Sequence, residues 1–282
     1  MPDFGSFRGF GDKLVQGQTP TQLGLIGSNN FEFDSDTNAF ILRVTNAGGS
    51  LTSNEENAVD ILVKKLKTDG IWNLTKAIYP MVGASAAACA QNLKSSSFTI
   101  TFTSGWTFAS TGATPNGTSA YAETFINPSI DLQQNSTHLS YYSRTNTTDS
   151  PVRVDIGLKS GNNTTLYLSC RLNNSFGPLC NINNLGVNVL SSLSNSLGFY
   201  LGTRIVSSER KLFANNSLID TYTTSSVTPS NDVIVLGRNY LQSEYTDRQC
   251  AFSSIGDGLT DTQASNFYTA VQAFQTTLGR QV

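Results

Sequence analysis

The sequence predicts a mainly β protein: a two-sheet jelly-roll sandwich with a helical segment ahead of it and one helix behind it. Three observations carry this expectation. From residue 97 the apolar period becomes two, Phe98, Ile100 and Phe102 alternating with Thr99, Thr101 and Thr103, which marks a half-buried strand. About ten such runs follow with polar connections, the spacing of a sandwich. The C-terminal end then changes to helical spacing, with Ala264, Phe267, Tyr268, Val271, Phe274 and Leu278 on one face.

The N-terminal residues 1–30 differ from the rest. Phe4, Phe7 and Phe10 recur at spacing three beside Gly5, Gly9 and Gly11, and Leu14 follows. Such a segment has little means of building a core and suits a peptide that orders by inserting rings into a partner's pockets. A tail folded back on its own domain is the alternative. Phe31 and Phe33 then alternate with Glu32, Asp34 and Asp36, a pattern expected as a solvated strand edge ahead of a helix. Three acidic residues at this spacing offer oxygen ligands to calcium, but the Gly and terminal Glu of the known loop are missing.

A helix is expected over residues 53–68. Thr52 is spaced to Glu55, and Ser53 to Glu56, for a capping box; Ala58, Ile61, Leu62 and Leu66 share a face, and Asp69-Gly70 offers a stop. Residues 71–82 read as a shorter apolar element, and 84–90 as a helical turn or a close-packed crossing. Residues 31–95 thus form a connecting region ahead of a jelly roll over 96–282. Within it, strands are expected at 121–126, 139–144, 152–158, 165–171, 197–205, 211–214, 217–223, 233–236 and 251–255. Asn215 and Asn216 suit a hairpin turn, because Asn tolerates positive φ. Thr260 and Gln263 have capping-box spacing for a helix from Asp261, and Gly279 suits its end.

Charged residues make up 13% of the chain and the formal net charge is -2, so no strong field points to nucleic acid or an anionic membrane. No apolar run is long enough to span a bilayer, and Met1-Pro-Asp-Phe-Gly5 lacks the layout of a secretory leader. The Asn-x-Ser/Thr triplets at Asn73, Asn116, Asn146, Asn163, Asn173 and Asn215 read as solvated loop residues in a sequence rich in those types. Cys89, Cys170, Cys180 and Cys250 are irregularly spaced. They read as free thiols, with a Cys170–Cys180 bridge as the alternative. A zinc site lacks support, since no Cys-x-x-Cys occurs and His138 is the lone histidine.

Asp155 lies on an expected strand without a second carboxylate at alternate spacing, and Arg153 is its nearest same-face neighbour, so an ion pair is favoured over an acid catalyst. His138 has no Gly-x-Ser-x-Gly elbow. No glycine-rich loop opens a helix to cradle phosphate. The chain is therefore expected to be non-enzymatic and to need no cofactor or metal.

Several ordered stretches carry a resemblance: Leu51-Thr52 with Asn57–Asp60, Ile71-Trp72, Ala77–Gly83, Trp106 with Ser110–Gly117, Thr137–Asn146, Ser196–Arg204 and Cys250–Val282. Over residues 45–282 the chain resembles bacteriophage structural proteins that carry a concanavalin A-like, laminin G-like jelly roll. The resemblance implies a virion surface protein of the fibre or spike type; residues 1–30 carry no comparable match, and their Phe4, Phe7, Phe10 and Leu14 are the candidates for attachment to other virion proteins. It also implies a homotrimer displaying a lectin-like domain to a host surface glycan. Candidate glycan-binding residues are Tyr142 and Arg144, on one strand face with His138 and Ser140, and Tyr240, Glu244, Tyr245 and Arg248, within one connection. The competing reading is a purely structural capsid decoration or vertex protein; a polysaccharide-cleaving enzyme is the third.

Overall fold

A computed structural model describes residues 32–147, 151–158, 165–185, 195–239 and 244–282. The proposed anchor residues Phe4, Phe7, Phe10 and Leu14, and the loop residue Tyr240, lie outside them. Residues 33–282 form one compact unit.

The unit begins with helices α1 (Ser35–Asn46) and α2 (Ser53–Thr68). The acidic run, expected as a strand edge, is instead a helix start: Asp34 caps α1 by accepting from the Asp36 amide at 2.9 Å. Lys67 bridges Asp34 and Asp36. Carboxylates beside a helix N-terminus satisfy orphan amides and oppose its positive end, which outweighs the alternation of Phe31 and Phe33. At α2, Thr52 and Glu55 form the reciprocal capping box. Glu55 also accepts from Gly83 N–H at 2.8 Å.

Strand β1 (Thr75–Tyr79) and the short α3 (Ala86–Cys89) follow. The expected strand at 97–103 shrinks to β2 (Thr101–Phe102). Phe98 takes φ 59° and Ile100 N–H donates to Ala90, so the alternating run turns where it was expected to extend. The chain continues through β3 (Trp106–Ala109), β4 (Gly112–Pro115), β5 (Ala122–Glu123), α4 (Pro128–Asp131), β6 (Thr137–Ser143), β7 (Ile156–Leu158), β8 (Leu166–Ser169) and β9 (Leu179–Ile182). It ends with β10 (Gly198–Val206), β11 (Glu209–Ala214), β12 (Ser217–Thr223), β13 (Ile234–Leu236), β14 (Cys250–Gly256) and α5 (Asp261–Thr277). The β11–β12 turn is built on Asn215 and Asn216 at φ 46° and 69°, as the sequence predicts.

The strands form two antiparallel sheets, the predicted sandwich. One runs β12-β11-β10-β6-β14-β4-β3, with β1 on β14 beside β4; the other runs β2-β5-β13-β7-β8-β9. Register sorts their faces. Leu139, Tyr141, Tyr200, Leu212 and Ile255 of the large sheet meet Ala122, Leu236, Ile156, Leu168 and Cys180 of the small one in the core between the sheets. On the opposite face of the large sheet, Tyr142, Phe199, Leu201 and Phe252 pack with Phe40, Leu62, Val63, Phe267, Val271 and Phe274 of the helices. Residues 33–95 therefore belong to the body of the fold: β1 is a strand of the large sheet, and α1 and α2 help cover it.

α5 starts at the Thr260–Gln263 capping box. Beyond it, Gly279 takes φ +65° and Arg280 turns inward, its guanidinium donating to Pro80 O, Met81 O, Ala251 O and Gln275 Oε1. Burial pushes the Arg280 pKa down to about 10, yet it stays cationic at neutral pH and fastens the C-terminus to the end of β1.

Candidate functional site

The outer face of the small sheet, away from the helices, carries the candidate site. Thr101, Glu123, Val235, Gly157, Tyr167 and Asn181 lie side by side across its strands, and their neighbours Phe102, Ala122, Leu236, Ile156, Leu168 and Cys180 point into the core. Side chains alternate across a strand, so the first row faces outward. Glu123 is half-buried there.

Tyr121 precedes β5 and is held rigidly by its backbone. Its carbonyl accepts from Thr103 N–H at 3.0 Å, Thr103 Oγ1 at 2.9 Å and Trp106 Nε1 at 3.1 Å, and its amide donates to Thr103 Oγ1. Trp106 is thereby a core residue that positions Tyr121. Gly237 passes close by at φ +94°; a Cβ there would lie 3.0 Å from Ala120 O and 3.2 Å from the Trp106 ring. Glycine meets both demands.

Past β13, Thr246 N–H donates to Gly237 O at 2.9 Å. The Arg238 guanidinium lies 4.1 Å from the Tyr121 ring centroid and 5.7 Å from that of Tyr245, and Nη1 donates to Tyr245 Oη at 3.2 Å. Asn239 folds over Gly157, its Oδ1 2.8 Å from where a Cβ would stand. Its Nδ2 donates to Glu244 Oε2 at 3.1 Å. The other carboxylate oxygen of Glu244 accepts no hydrogen bond from the described residues. Burial raises the Glu244 pKa, against the lowering effect of the Asn239 bond. Tyr121, Glu244 and Tyr245 are half-exposed, whereas Arg238 and Asn239 are buried.

Residues 244–249 are tied down along their length. Glu244 O accepts from Val154 N–H, Asp247 takes both Nε and Nη2 of Arg153, and Gln249 N–H donates to Thr145 Oγ1. Thr246 and Arg248 turn inward to the Asp155 carboxylate. The arrangement presents two tyrosine rings, a carboxylate and a buried cation on backbone that has little freedom to move. It can stack an apolar ring face and accept hydrogen bonds from hydroxyls.

Among the sequence candidates in the described residues, the structure brings Glu244 and Tyr245 together and turns Tyr142, Arg144 and Arg248 away from them. Tyr142 is buried beneath α5, with Oη donating to Gln272 Oε1 at 3.2 Å and accepting from Val282 N–H at 3.1 Å. The strand-face parity behind its selection is correct, but that face is covered by helices and not by solvent. Arg144 is spent on Arg280 O and Gln249 Oε1, at 2.6 and 2.9 Å. Arg248 is an interior residue, 1% exposed. The expected Arg153–Asp155 pair is exchanged: Asp155 pairs with Arg248 and Arg153 with Asp247. Tyr121, Arg238 and Asn239 were missed. The alternating sequence exposes no sign of Tyr121, but Arg238-Asn239 directly precedes the aromatic loop and signalled it.

His138 does meet a serine, yet in the interior. Nδ1 sits 2.6 Å from the Asp257 carbonyl, which can only accept, so Nδ1 carries the proton; Nε2 then accepts from Ser254 Oγ at 3.0 Å. Ser140 completes the chain at 2.7 Å from Ser254. All three are fully buried, with Phe267 of α5 edge-on to the imidazole, and this serine has no open side from which to attack a substrate. All four cysteines are free and buried. Among the described residues no group of three His, Cys, Asp or Glu side chains is placed to hold a metal, and no helix is long and apolar enough to cross a membrane.

No protein-family model matches the chain, and no curated protein sequence matches it. Among solved structures it is similar to domain 4 of AbnA, a GH43 extracellular arabinanase from Geobacillus stearothermophilus, in complex with arabinotriose. That likeness has 13% identity and a TM-score of 0.47 over 68% of this chain and 97% of that one. It is also similar to the receptor binding domain of botulinum neurotoxin D, at 12% identity and TM-score 0.47, over 70% of this chain and 53% of that one. The binding domain of botulinum neurotoxin DC in complex with SialylT is a further match at 16% identity, TM-score 0.35, covering 54% and 40%. The chain thus spans about half the length of these toxin domains or less. Such similarity assigns no role to any residue of the Tyr121–Arg238–Tyr245 cluster.

Proposed function

We propose that residues 33–282 form a non-enzymatic glycan-binding domain whose ligand lies on the outer face of the small sheet, against Tyr121, Tyr245 and Glu244. The observation that carries this reading is the pair of half-exposed tyrosines beside a carboxylate oxygen with no hydrogen-bond donor among the described residues, all on backbone fixed by buried contacts. Sugars present an apolar C–H face, which stacks on aromatic rings, and hydroxyls, which a carboxylate accepts strongly. Preorganisation of residues 244–249 lowers the ordering cost of binding a solvated ligand. Arg238 and Asn239 position the ring and the carboxylate.

The setting we propose is a bacteriophage virion surface. Residues 1–30 attach the chain to other virion proteins, and the domain is displayed outward, as a homotrimer, to a host surface glycan. Support for this setting comes from the ordered sequence motifs over residues 45–282. A structural decoration protein is the competing reading, and it predicts an intact fold with no glycan affinity.

The test uses the full chain. It should bind immobilised host surface polysaccharide saturably, and Tyr245→Ala should lower the affinity about tenfold or more with unfolding unchanged. A folded chain that binds no host polysaccharide overturns the proposal in favour of decoration. Release of new reducing ends during incubation overturns its non-enzymatic part.

A further inference from the structure

The strand that follows Tyr121 carries a second exposed ring on the same face. Along residues 121–126 the side chains alternate: Ala122, Thr124 and Ile126 are fully buried, Tyr121 and Glu123 are half-exposed, and Phe125 keeps 50% of its surface in solvent. The outward row thus begins and ends on an aromatic ring, and the two positions lie roughly 13 Å apart along the extended chain. Beside the row, Thr101 lies opposite Glu123 and is exposed. Because β13 runs antiparallel to β5, with Leu236 opposite Ala122, Gly237 and the stack of Arg238 on Tyr121 and Tyr245 stand at the Tyr121 end. Phe125 stands at the other.

The backbone holds Phe125 in that position against its own preference. Its φ is 61°, a left-handed conformation in which a bulky residue is an outlier. The cause is a bulge. Thr124 N–H and Oγ1 both donate to Ile234 O, at 3.1 and 2.7 Å; Ile234 N–H donates to Ile126 O at 2.9 Å, and Ile126 N–H to Thr124 Oγ1 at 3.2 Å. Thr124 and Ile126 both close on residue 234, and Phe125 is the extra residue pushed out between them. Phe98 shares the left-handed conformation at φ 59°, but its ring packs against the core between the sheets. Packing offsets the backbone cost there, whereas half of Phe125 still faces water. A strained backbone that serves to expose an apolar ring points to a ligand for that ring.

Resting on the glycan site proposed above, we infer that its ligand is an internal stretch of polysaccharide that runs along β5, with one sugar on Tyr121 and Tyr245 and another, about two rings further on, over Phe125. Thr101 faces the hydroxyls between them. Both platforms stand on one strand, so reaching the second requires no new ordering of the protein, and each added sugar strengthens binding until Phe125 is covered. A single terminal sugar fills the Tyr245 end alone.

The experiment titrates the full chain with fragments of host surface polysaccharide, cut by mild acid and separated by length. Affinity is expected to rise with length and to level off at about three to four rings. Phe125→Asn suits left-handed φ better than phenylalanine does, so urea unfolding should be unchanged or shifted to higher urea. The same variant should bind long fragments about tenfold more weakly and the shortest bound fragment as the wild type does. Phe125→Tyr keeps the ring and should keep the long-fragment affinity. If affinity does not depend on length, or Phe125→Asn binds long fragments normally, while Tyr245→Ala abolishes binding, the extension along β5 is overturned and the site stands. If Phe125→Asn destabilises the fold and weakens all lengths alike, Phe125 is a structural residue and the extension is again overturned. If no fragment binds, or binding ignores Tyr245→Ala, the site itself is overturned.

Discussion

Asp155 and Arg248 form an ion pair inside the sandwich, Oδ2 lying 2.9 Å from Nη1 with both side chains at most 1% exposed. Burying two charges is costly unless their remaining hydrogen-bonding capacity is met. Here it is met: Asp155 also accepts from Thr246 Oγ1 and Cys170 N–H, at 2.7 Å each. Arg248 donates to Thr147 Oγ1 at 2.8 Å and to Arg171 O. The pair joins residues 147, 155, 170–171 and 246–248, and so holds the connection that presents Glu244 and Tyr245.

Removing one partner should therefore be severe. Arg248→Met leaves the Asp155 carboxylate buried without its cation and should cost about 3–5 kcal/mol in urea unfolding. Combining it with Asp155→Asn should cost clearly less than the sum of the single changes, since the second removes the stranded charge. Additive losses would show that the two residues act independently.

Tyr142 and Tyr245 should behave oppositely. Tyr142→Phe removes a hydroxyl that bonds Gln272 and the Val282 amide and should cost about 1 kcal/mol of stability. Glycan binding should not change, because the ring lies under α5. Tyr245→Ala removes a half-exposed ring and should reduce binding far more than stability. Parallel thermal unfolding and glycan titration of the two variants check both directions.

The contrast marks what could be read from residues alone. Elements with local signatures were legible: the Thr52–Glu55 and Thr260–Gln263 caps, the Asn215-Asn216 turn, and the alternation that separates Tyr141 from Tyr142. What covers each face was not, because α2 and α5 reach the large sheet from opposite ends of the chain. The strands β3, β4 and β9 escaped notice as segments of four residues, too short to show a period, although β3 pairs with β4 and β9 with β8, its neighbour in the sequence. Arg248 resembled a ligand-binding arginine because its partner Asp155 lies far away in sequence. Tyr121 became visible as a site residue only once Arg238 was placed against it.

The thiols should be inert in the native state. Burial pushes Cys89 up to about 12 and raises Cys170, Cys180 and Cys250 as well; at neutral pH none carries an appreciable thiolate fraction. A thiol-specific chromogenic disulfide should react with none of them in buffer at pH 7 and with all four cysteines after unfolding in guanidinium. Fewer than four on unfolding would reveal a bridge.

His138 should make the fold lose stability in mild acid. Burial pushes its pKa down from 6.5 to about 4, opposed by the Asp257 carbonyl. The unfolded chain therefore takes up a proton on this residue between about pH 6.5 and 4 while the folded chain does not. Its contribution is fully retained above that window, declines as the pH falls through it, and is lost below. The difference corresponds to roughly 3 kcal/mol. Comparing urea unfolding from pH 7 to 4 with that of His138→Asn separates the effect of the imidazole from that of the carboxylates: the variant should be less stable at pH 7 but should show a shallower slope. Equal slopes would mean that the imidazole gains its proton without leaving its place between Ser254 and Asp257.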